Sequence, residues 1–170
     1  SINRRSLVTS GPGPSFEMGY KEKAFRFSKS WSSYLYSALS TRGFTNNNFS
    51  IHVTAKKDVV AAEECLFDYG DINRGFDVCY TATGALRIRF KDSTSPTTYT
   101  TSSVLATLNF QTIDVVVNRA SSSLSVYLDG ILFQTFTGIT IPAGCTNQDD
   151  NNLNLYIGAK YDASLKYGGL

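Results

Sequence analysis

The chain has 170 residues, of which 42% are hydrophobic and 18% charged, and its formal net charge is only +2. This length suffices for one domain, which can bury roughly 70% of the surface its unfolded chain exposes. The small, scattered charge argues against a nucleic-acid partner, and no apolar run reaches the roughly 20 residues that cross a bilayer. We therefore expect one globular domain with no nucleic-acid partner and no membrane insertion.

In chain order, the sequence predicts a short arm and then strands. Residues 1–15, SINRRSLVTSGPGPS, hold two Pro and two Gly in a polar setting and are predicted to be a flexible arm or linker, with one domain over 16–170. The predicted strands are KAFRFSK, SSYLYSAL, NFSIHVTAK, CLFDYGD, GFDVCYT, ALRIRFKD, IDVVVNR, SLSVYLD, ILFQTF and LNLYIGAK. Alternating apolar positions, with turn signals about every 8–12 residues, indicate an all-β sandwich or barrel of antiparallel strands.

The strongest local signal is the Asp129-Gly130 corner between SLSVYLD and ILFQTF. A type I′ hairpin turn needs positive φ at both central residues, which favours Asp-Gly. The alternation then predicts three pairs on the apolar face, Leu128–Ile131, Val126–Phe133 and Leu124–Thr135. We interpret Asp129 as a corner residue rather than as a ligand-binding carboxylate.

Three cysteines are present, Cys65, Cys79 and Cys145, so they cannot all pair within one chain. They form no CxxC or Cys/His cluster, which argues against a zinc site. Cys65 and Cys79 flank a predicted hairpin and are either bridged across the strands or left as buried thiols. Asn48-Phe49-Ser50 matches the N-glycosylation acceptor pattern, so Asn48 is a candidate glycosylation site in a secreted protein.

An ordered set of segments resembles a known family. IDVVVNRASSSLSVYLDGILFQTF, followed by LNLYIGAKYD, is similar to laminin G-like, or concanavalin A-like, domains. LFDYGDINRGFDVCYTATGALRIRF resembles the central hairpins of that family, and FTNNNFSIHVTAKK resembles an early strand. The resemblance covers roughly residues 25–165 and implies an antiparallel jelly-roll β-sandwich. Relatives have a further strand after the LYIG segment, so we expect the last strand to come from elsewhere or the sequence to be a fragment.

The resemblance also implies a calcium site on the rim, where oxygen ligands suit the hard cation. Gly75 occupies the usual aspartate position, next to Arg74, so Asp71 is the candidate substitute. Asp150 and Asn151, in the NQDDNNLN cluster, are the other candidate metal ligands, although such a cluster is also typical of a solvated loop. We expect that the domain requires no cofactor, and the family pattern allows an optional Ca²⁺ ion.

Catalysis is not expected. Glycoside hydrolases of this fold need two carboxylates that flank the glycosidic bond, and their ExDxxE pattern is absent. Glu63 and Glu64 are adjacent and would point to opposite faces, while Glu64 and Asp68 lie at opposite ends of a mostly apolar strand. The single histidine, His52, lies on the polar face of a strand and is interpreted as a surface residue.

The leading interpretation is a non-catalytic binding module in an extracellular or surface-exposed protein, with a glycan or a protein as its partner. Sugars need an aromatic platform and polar groups for their hydroxyls. Two alternative ligand surfaces are predicted. One is an outward face with Tyr127, Tyr34, Tyr36 and Arg87, and the other is a rim with Asp71, Arg74, Asp92, Asn151 and Asn152. The alternative is an assembly domain of a virion, fibre, coat or filament, which would contact other copies or chains. A glycoside hydrolase is the third, least favoured alternative.

Overall fold

The computed structural model describes residues 48–56, 63–102, 109–142 and 154–159, and the backbone of four short strands within 8–38. Every regular element in these ranges is a strand. The strands are β1 Val8–Ser10, β2 Ser15–Met18, β3 Lys23–Arg26, β4 Tyr34–Ala38, β5 Phe49–Ala55, β6 Glu64–Gly70, β7 Arg74–Tyr80, β8 Leu86–Asp92, β9 Thr97–Thr100, β10 Gln111–Asn118, β11 Ser123–Leu128, β12 Ile131–Thr137 and β13 Asn154–Ile157.

The strands form two main sheets. One has seven strands in the order β1-β4-β13-β6-β7-β8-β9, the other has four in the order β12-β11-β10-β5, and β2 pairs with β3 separately. The pairings among these strands are antiparallel. The prediction of an all-β antiparallel sandwich is therefore confirmed.

Alternation along each strand decides which side chains enter the core. In β10, Ile113, Val115 and Val117 are buried, while the residues between them are only partly covered. Phe76 of β7 is central in the opposite sheet, with its ring centroid 5.1 Å from that of Phe49 and 6.5 Å from that of Phe90. Burying a side chain of this size stabilises the fold by about 1.5–3 kcal/mol.

Two core tyrosines are titratable groups that the fold removes from water. Burial raises the pKa of Tyr80 to about 12 and also raises the pKa of Tyr69. Both side chains face the core with Phe76. Their phenols therefore stay neutral at physiological pH and belong to the hydrophobic interior.

Three short strands, β1, β2 and β9, have no counterpart among the predicted strands. β1 lies within the segment predicted to be an arm, and it pairs with β4 at one edge of the seven-stranded sheet. Each of these three strands contains at most two apolar residues, which are too few to define an alternating pattern. The boundary between arm and domain at residue 15 stays a prediction.

The Asp129-Gly130 corner has the predicted conformation, with φ values of 51° and 79°. The Asp129 carboxylate accepts a hydrogen bond from the Thr112 backbone N–H (2.9 Å), and the Asp129 N–H donates to the Thr112 carbonyl (2.8 Å). Asp129 thus shapes the turn and ties the hairpin to β10. These hydrogen bonds explain why an aspartate stands at this turn, with no need for a bound ligand.

The register of this hairpin was predicted only in part. Leu128 pairs with Ile131 as expected, but a bulge then shifts the partners to Val126–Gln134 and Leu124–Phe136. The predicted pairs Val126–Phe133 and Leu124–Thr135 are therefore wrong. Phe133 and Phe136 are three residues apart, which in a regular strand would put them on opposite faces. The extra residue of the bulge lets both rings pack against the core.

Cys65 and Cys79 are directly opposite each other in β6 and β7 and form a disulfide. This resolves the two alternatives in favour of the cross-strand bridge. Both residues are fully buried. Cys145 lies outside the described residues.

Removing this bridge is expected to lower the free energy of unfolding by about 3 kcal/mol, because it closes a loop of about 15 residues in the unfolded chain. Urea unfolding of the Cys65→Ala/Cys79→Ala variant, compared with the oxidised wild type, measures the loss. A reducing agent should leave the free energy of unfolding of the variant unchanged, whereas it should lower that of the wild type. Equal stability of the two oxidised proteins would contradict the structural role.

Candidate functional site

The rim turn between β6 and β7 is organised by Asp71. Its Oδ1 accepts hydrogen bonds from the backbone N–H groups of Asn73 (2.7 Å) and Arg74 (2.9 Å), and its Oδ2 accepts one from Arg74 Nη2 (3.0 Å). Such contacts are typical of an Asp that caps a turn. Ile72, between them, is 63% exposed.

The neighbouring turn, between β8 and β9, repeats this arrangement. Asp92 Oδ1 accepts hydrogen bonds from the Thr94 N–H (2.8 Å), the Thr94 hydroxyl (2.6 Å) and the Ser95 N–H (3.1 Å). The β7–β8 register places Arg74 directly opposite Asp92. Three of the predicted ligand-binding residues, Asp71, Arg74 and Asp92, therefore lie together, and we call this group the rim cluster.

The calcium prediction receives no support from Asp71. Both oxygens of this carboxylate are engaged by its own turn, and the Arg74 guanidinium beside it would repel a cation. In the part of the chain that the structure describes, no group of three or more His, Cys, Asp or Glu side chains could hold a metal ion. Asp150, Asn151 and Asn152 lie outside the described residues. Calcium binding there, and the ligand role of Asn151 and Asn152, remain predictions.

Tyr127 is not part of the rim cluster. It lies in β11, on the face of the four-stranded sheet that points away from the core, opposite Asp114 of β10. Asp114 in turn pairs with His52 of β5, whose Nδ1 is 2.5 Å from Asp114 Oδ1. His52 is thus a surface residue, as predicted. Of β4, which contains Tyr34 and Tyr36, only the backbone is described.

Asn48 is exposed immediately before β5. Its side-chain Oδ1 accepts a hydrogen bond from the Arg119 backbone N–H (2.9 Å). Such a contact occupies the oxygen, whereas N-glycosylation modifies the amide nitrogen of the same side chain. The position is compatible with the predicted glycan, which stays a prediction.

An ion-pair network on the outer face of the seven-stranded sheet was not predicted, and it includes Arg87, which the sequence analysis names as an outward ligand-binding candidate. Lys91 of β8 binds Asp68 of β6, and Arg89 binds Asp77 of β7 through both Nε and Nη2. Arg87 Nη1 binds Glu63, and its Nη2 is 3.5 Å from Asp77 Oδ1. The network balances three cations, Arg87, Arg89 and Lys91, with three carboxylates, Glu63, Asp68 and Asp77.

The register explains how Lys91 reaches a strand that is not its neighbour. Its partner in β7 is Gly75, which has no side chain to obstruct the lysine as it crosses to β6. Asp68, Asp77 and Lys91 are fully buried although they face away from the core. The Nε and Nη2 atoms of Arg87 are also buried and make no hydrogen bond. This network is therefore an internal part of the domain rather than an open binding surface.

The sequence contains one signal of this network. Asp68 and Asp77 interrupt otherwise apolar strands, CLFDYGD and GFDVCYT, in which Asp is disfavoured. The basic residues of LRIRFKD, in contrast, alternate as they would on a solvated face. Alternation reveals which side of a sheet a residue occupies, but not whether that side is covered.

The fold defines an antiparallel β-sandwich with polar rims. A protein-family model, Laminin_G_3, described as the concanavalin A-like lectin/glucanases superfamily, matches residues 31–170. The chain therefore belongs to this family, which confirms the resemblance and the jelly-roll fold. A comparison with curated protein sequences finds no match.

Solved structures support the same fold. Domain 4 of AbnA, a GH43 extracellular arabinanase from Geobacillus stearothermophilus in complex with arabinotriose, has a TM-score of 0.69 at 14% identity, covering 96% of this chain and 78% of the other. The Ruminococcus gnavus IT-sialidase CBM40 bound to alpha2,3 sialyllactose has a TM-score of 0.59 at 14% identity, covering 74% and 72%. The binding domain of botulinum neurotoxin DC in complex with rat synaptotagmin II has a TM-score of 0.61 at 14% identity, covering 90% and 42%.

Among the residues that the structure describes, no helix is long and apolar enough to cross a membrane.

Proposed function

We propose that this chain is a non-catalytic module that binds a glycan through the rim cluster, within a secreted or surface-exposed protein. Three structures of the same fold support a binding role: by their descriptions, one is in complex with arabinotriose, one is bound to sialyllactose and one is in complex with synaptotagmin. Two of these three ligands are sugars. A protein partner is the alternative that the third structure supports.

The main observation in support of glycan binding at the rim is that Asp71, Arg74 and Asp92 come together from two adjacent turns. The Arg74 guanidinium can donate hydrogen bonds to sugar oxygens, and Asp71 Oδ2, which accepts one hydrogen bond in its turn, has a second lone pair for a sugar hydroxyl. The Arg74 and Asp71 side chains are both partly exposed, and the exposed Ile72 offers an apolar contact beside them. Because hydrogen bonds within the turns hold both carboxylates in place, little side-chain entropy is lost when a ligand binds.

The ion pairs argue against hydrolysis. Asp68 and Asp77 are register partners on one face, the arrangement that a carboxylate pair would need. Each is instead bound to a buried or half-buried cation, Lys91 or Arg89. Glu63 is likewise paired with Arg87. These contacts favour a structural role for the three carboxylates.

The disulfide supports a secreted or surface location. Structural disulfides form and persist in oxidising environments and are rare in the cytosol. The Cys65–Cys79 bridge lies at the centre of the seven-stranded sheet. A protein with such a bridge is expected to mature outside the cytosol.

A glycan array probed with three proteins tests the proposal. The wild type should show saturable binding to a restricted set of glycans. Arg74→Gln should lose at least about 90% of that signal, because it removes the charged donor of the rim cluster. The matched control is Asp129→Asn, which changes one carboxylate at a different turn and should leave the signal unchanged. The proposal fails if the folded wild type binds no glycan, or if Arg74→Gln binds as well as the wild type.

A further inference from the structure

A row of four side chains crosses the entire outer face of the four-stranded sheet. Strand pairing places Leu132 of β12 opposite Tyr127 of β11, Tyr127 opposite Asp114 of β10, and Asp114 opposite His52 of β5. With three strand spacings of about 4.8 Å each, the row is about 14 Å long. We call these four residues the sheet-face row.

The sheet-face row is open to solvent. His52 at one end has a side chain that is 68% exposed, and Leu132 at the other end is 54% exposed. Tyr127 and Asp114, between them, are partly exposed. This accessibility distinguishes the row from the outer face of the other sheet, where Asp68, Asp77 and Lys91 are buried.

The chemistry changes along the row. Leu132 and the ring of Tyr127 make one end apolar, and the Asp114–His52 pair makes the other end polar. Hydroxyl pairs border the row on both sides: Thr54 and Thr112 (Oγ1–Oγ1 3.0 Å), and Ser125 and Thr135 (Oγ–Oγ1 3.0 Å). An apolar platform next to fixed polar groups suits the two kinds of surface that a sugar presents.

The charges and the area of this face limit the kinds of ligand that it can bind. The row and its bordering pairs contain one carboxylate, one imidazole and one phenol, with no Lys or Arg, so they offer little to an acidic glycan or a nucleic acid. The strands of this sheet are six to eight residues long, so its whole outer face measures at most about 26 Å by 19 Å, or about 500 Å². A stable protein interface needs about 800 Å² per partner. A small neutral ligand therefore fits this face better than a protein does.

We propose that the sheet-face row is a second ligand surface, which binds a short neutral oligosaccharide with Tyr127 beneath the apolar sugar face and the Asp114–His52 pair on its hydroxyls. This inference goes beyond binding at the rim cluster and does not depend on it. The two surfaces lie on different sheets and share no residue.

Titrations of the isotope-labelled chain with arabinotriose, maltotriose and cellotriose, followed by amide NMR, test the proposal. At least one neutral trisaccharide should shift amides of β5, β10, β11 and β12 with a millimolar or tighter Kd. Tyr127→Ala should weaken that binding about tenfold or more, because the aromatic contact is lost. Tyr127→Phe keeps the ring and should retain most of the affinity.

Variants at the two surfaces separate the two proposals. Arg74→Gln should leave the β5 and β10–β12 shifts unchanged, even where it abolishes binding at the rim. If none of the trisaccharides binds, or if Arg74→Gln removes all binding while Tyr127→Ala removes none, the sheet-face proposal is overturned. It is equally overturned if Tyr127→Ala instead dissolves a self-associated form of the chain, because the face would then be a contact between copies.

Discussion

Replacing Lys91 with methionine is expected to lower the free energy of unfolding by about 3–5 kcal/mol, because removing one partner of a buried ion pair is strongly destabilising. Lys91 is 1% exposed and its partner Asp68 is 0% exposed. Methionine has a similar length but no charge, so the ammonium group that neutralises Asp68 is lost without a large cavity. Chemical denaturation of the two proteins measures the difference.

Two further variants isolate the electrostatic origin of this loss. The double variant Asp68→Leu/Lys91→Met removes both charges and should recover much of the stability. Arg74→Met breaks the partly exposed pair with Asp71 and should cost about 1 kcal/mol or less. If Lys91→Met proves as mild as Arg74→Met, the network on the seven-stranded sheet does not support the fold.

Gly75→Ala is expected to cost more than about 3 kcal/mol, because two separate penalties combine at this position. Gly75 has a φ of +100°, which L side chains rarely adopt, and a Cβ there would lie 1.9 Å from the Tyr69 carbonyl oxygen. That oxygen belongs to the backbone of the neighbouring strand, so it cannot move without disturbing the β6–β7 hairpin. Thermal or urea unfolding measures the loss.

Gly130→Ala is the matched control for the conformational part of this penalty. Gly130 also has a positive φ, +79°, but a Cβ there would meet nothing within 4 Å. The free energy of unfolding should therefore fall only by the cost of the left-handed conformation, about 1–2 kcal/mol. Equal losses in Gly75→Ala and Gly130→Ala would show that the close approach to Tyr69 does not matter.

The fold could be predicted because its signals are local. The Asp129-Gly130 turn and the alternation in IDVVVNR and ALRIRFKD depend on residues that are close in sequence, and the structure confirms them. The bulge that brings both Phe133 and Phe136 to the core could not be predicted in this way. It depends on how the core is filled, which is a property of both sheets together.

The functional surfaces were less predictable, because they depend on which strands become neighbours. The prediction placed Asp71, Arg74 and Asp92 together, and the β7–β8 register brings them together. It grouped Tyr127 with Arg87 on one outward face, although Arg87 in β8 and Tyr127 in β11 lie on different sheets. The Lys91–Asp68 pair spans two strands and passes over a glycine. Asp68 is unusual in its apolar strand, but neither strand alone shows which cation it pairs with.

Isothermal titration of the strongest glycan-array ligand into the wild type and Arg74→Gln tests glycan recognition at the rim most directly. We predict saturable heats for the wild type and a Kd at least about tenfold weaker for Arg74→Gln, with Asp129→Asn equal to the wild type. Absence of saturable heat with every array ligand, or equal Kd values for the wild type and Arg74→Gln, would contradict the proposed function.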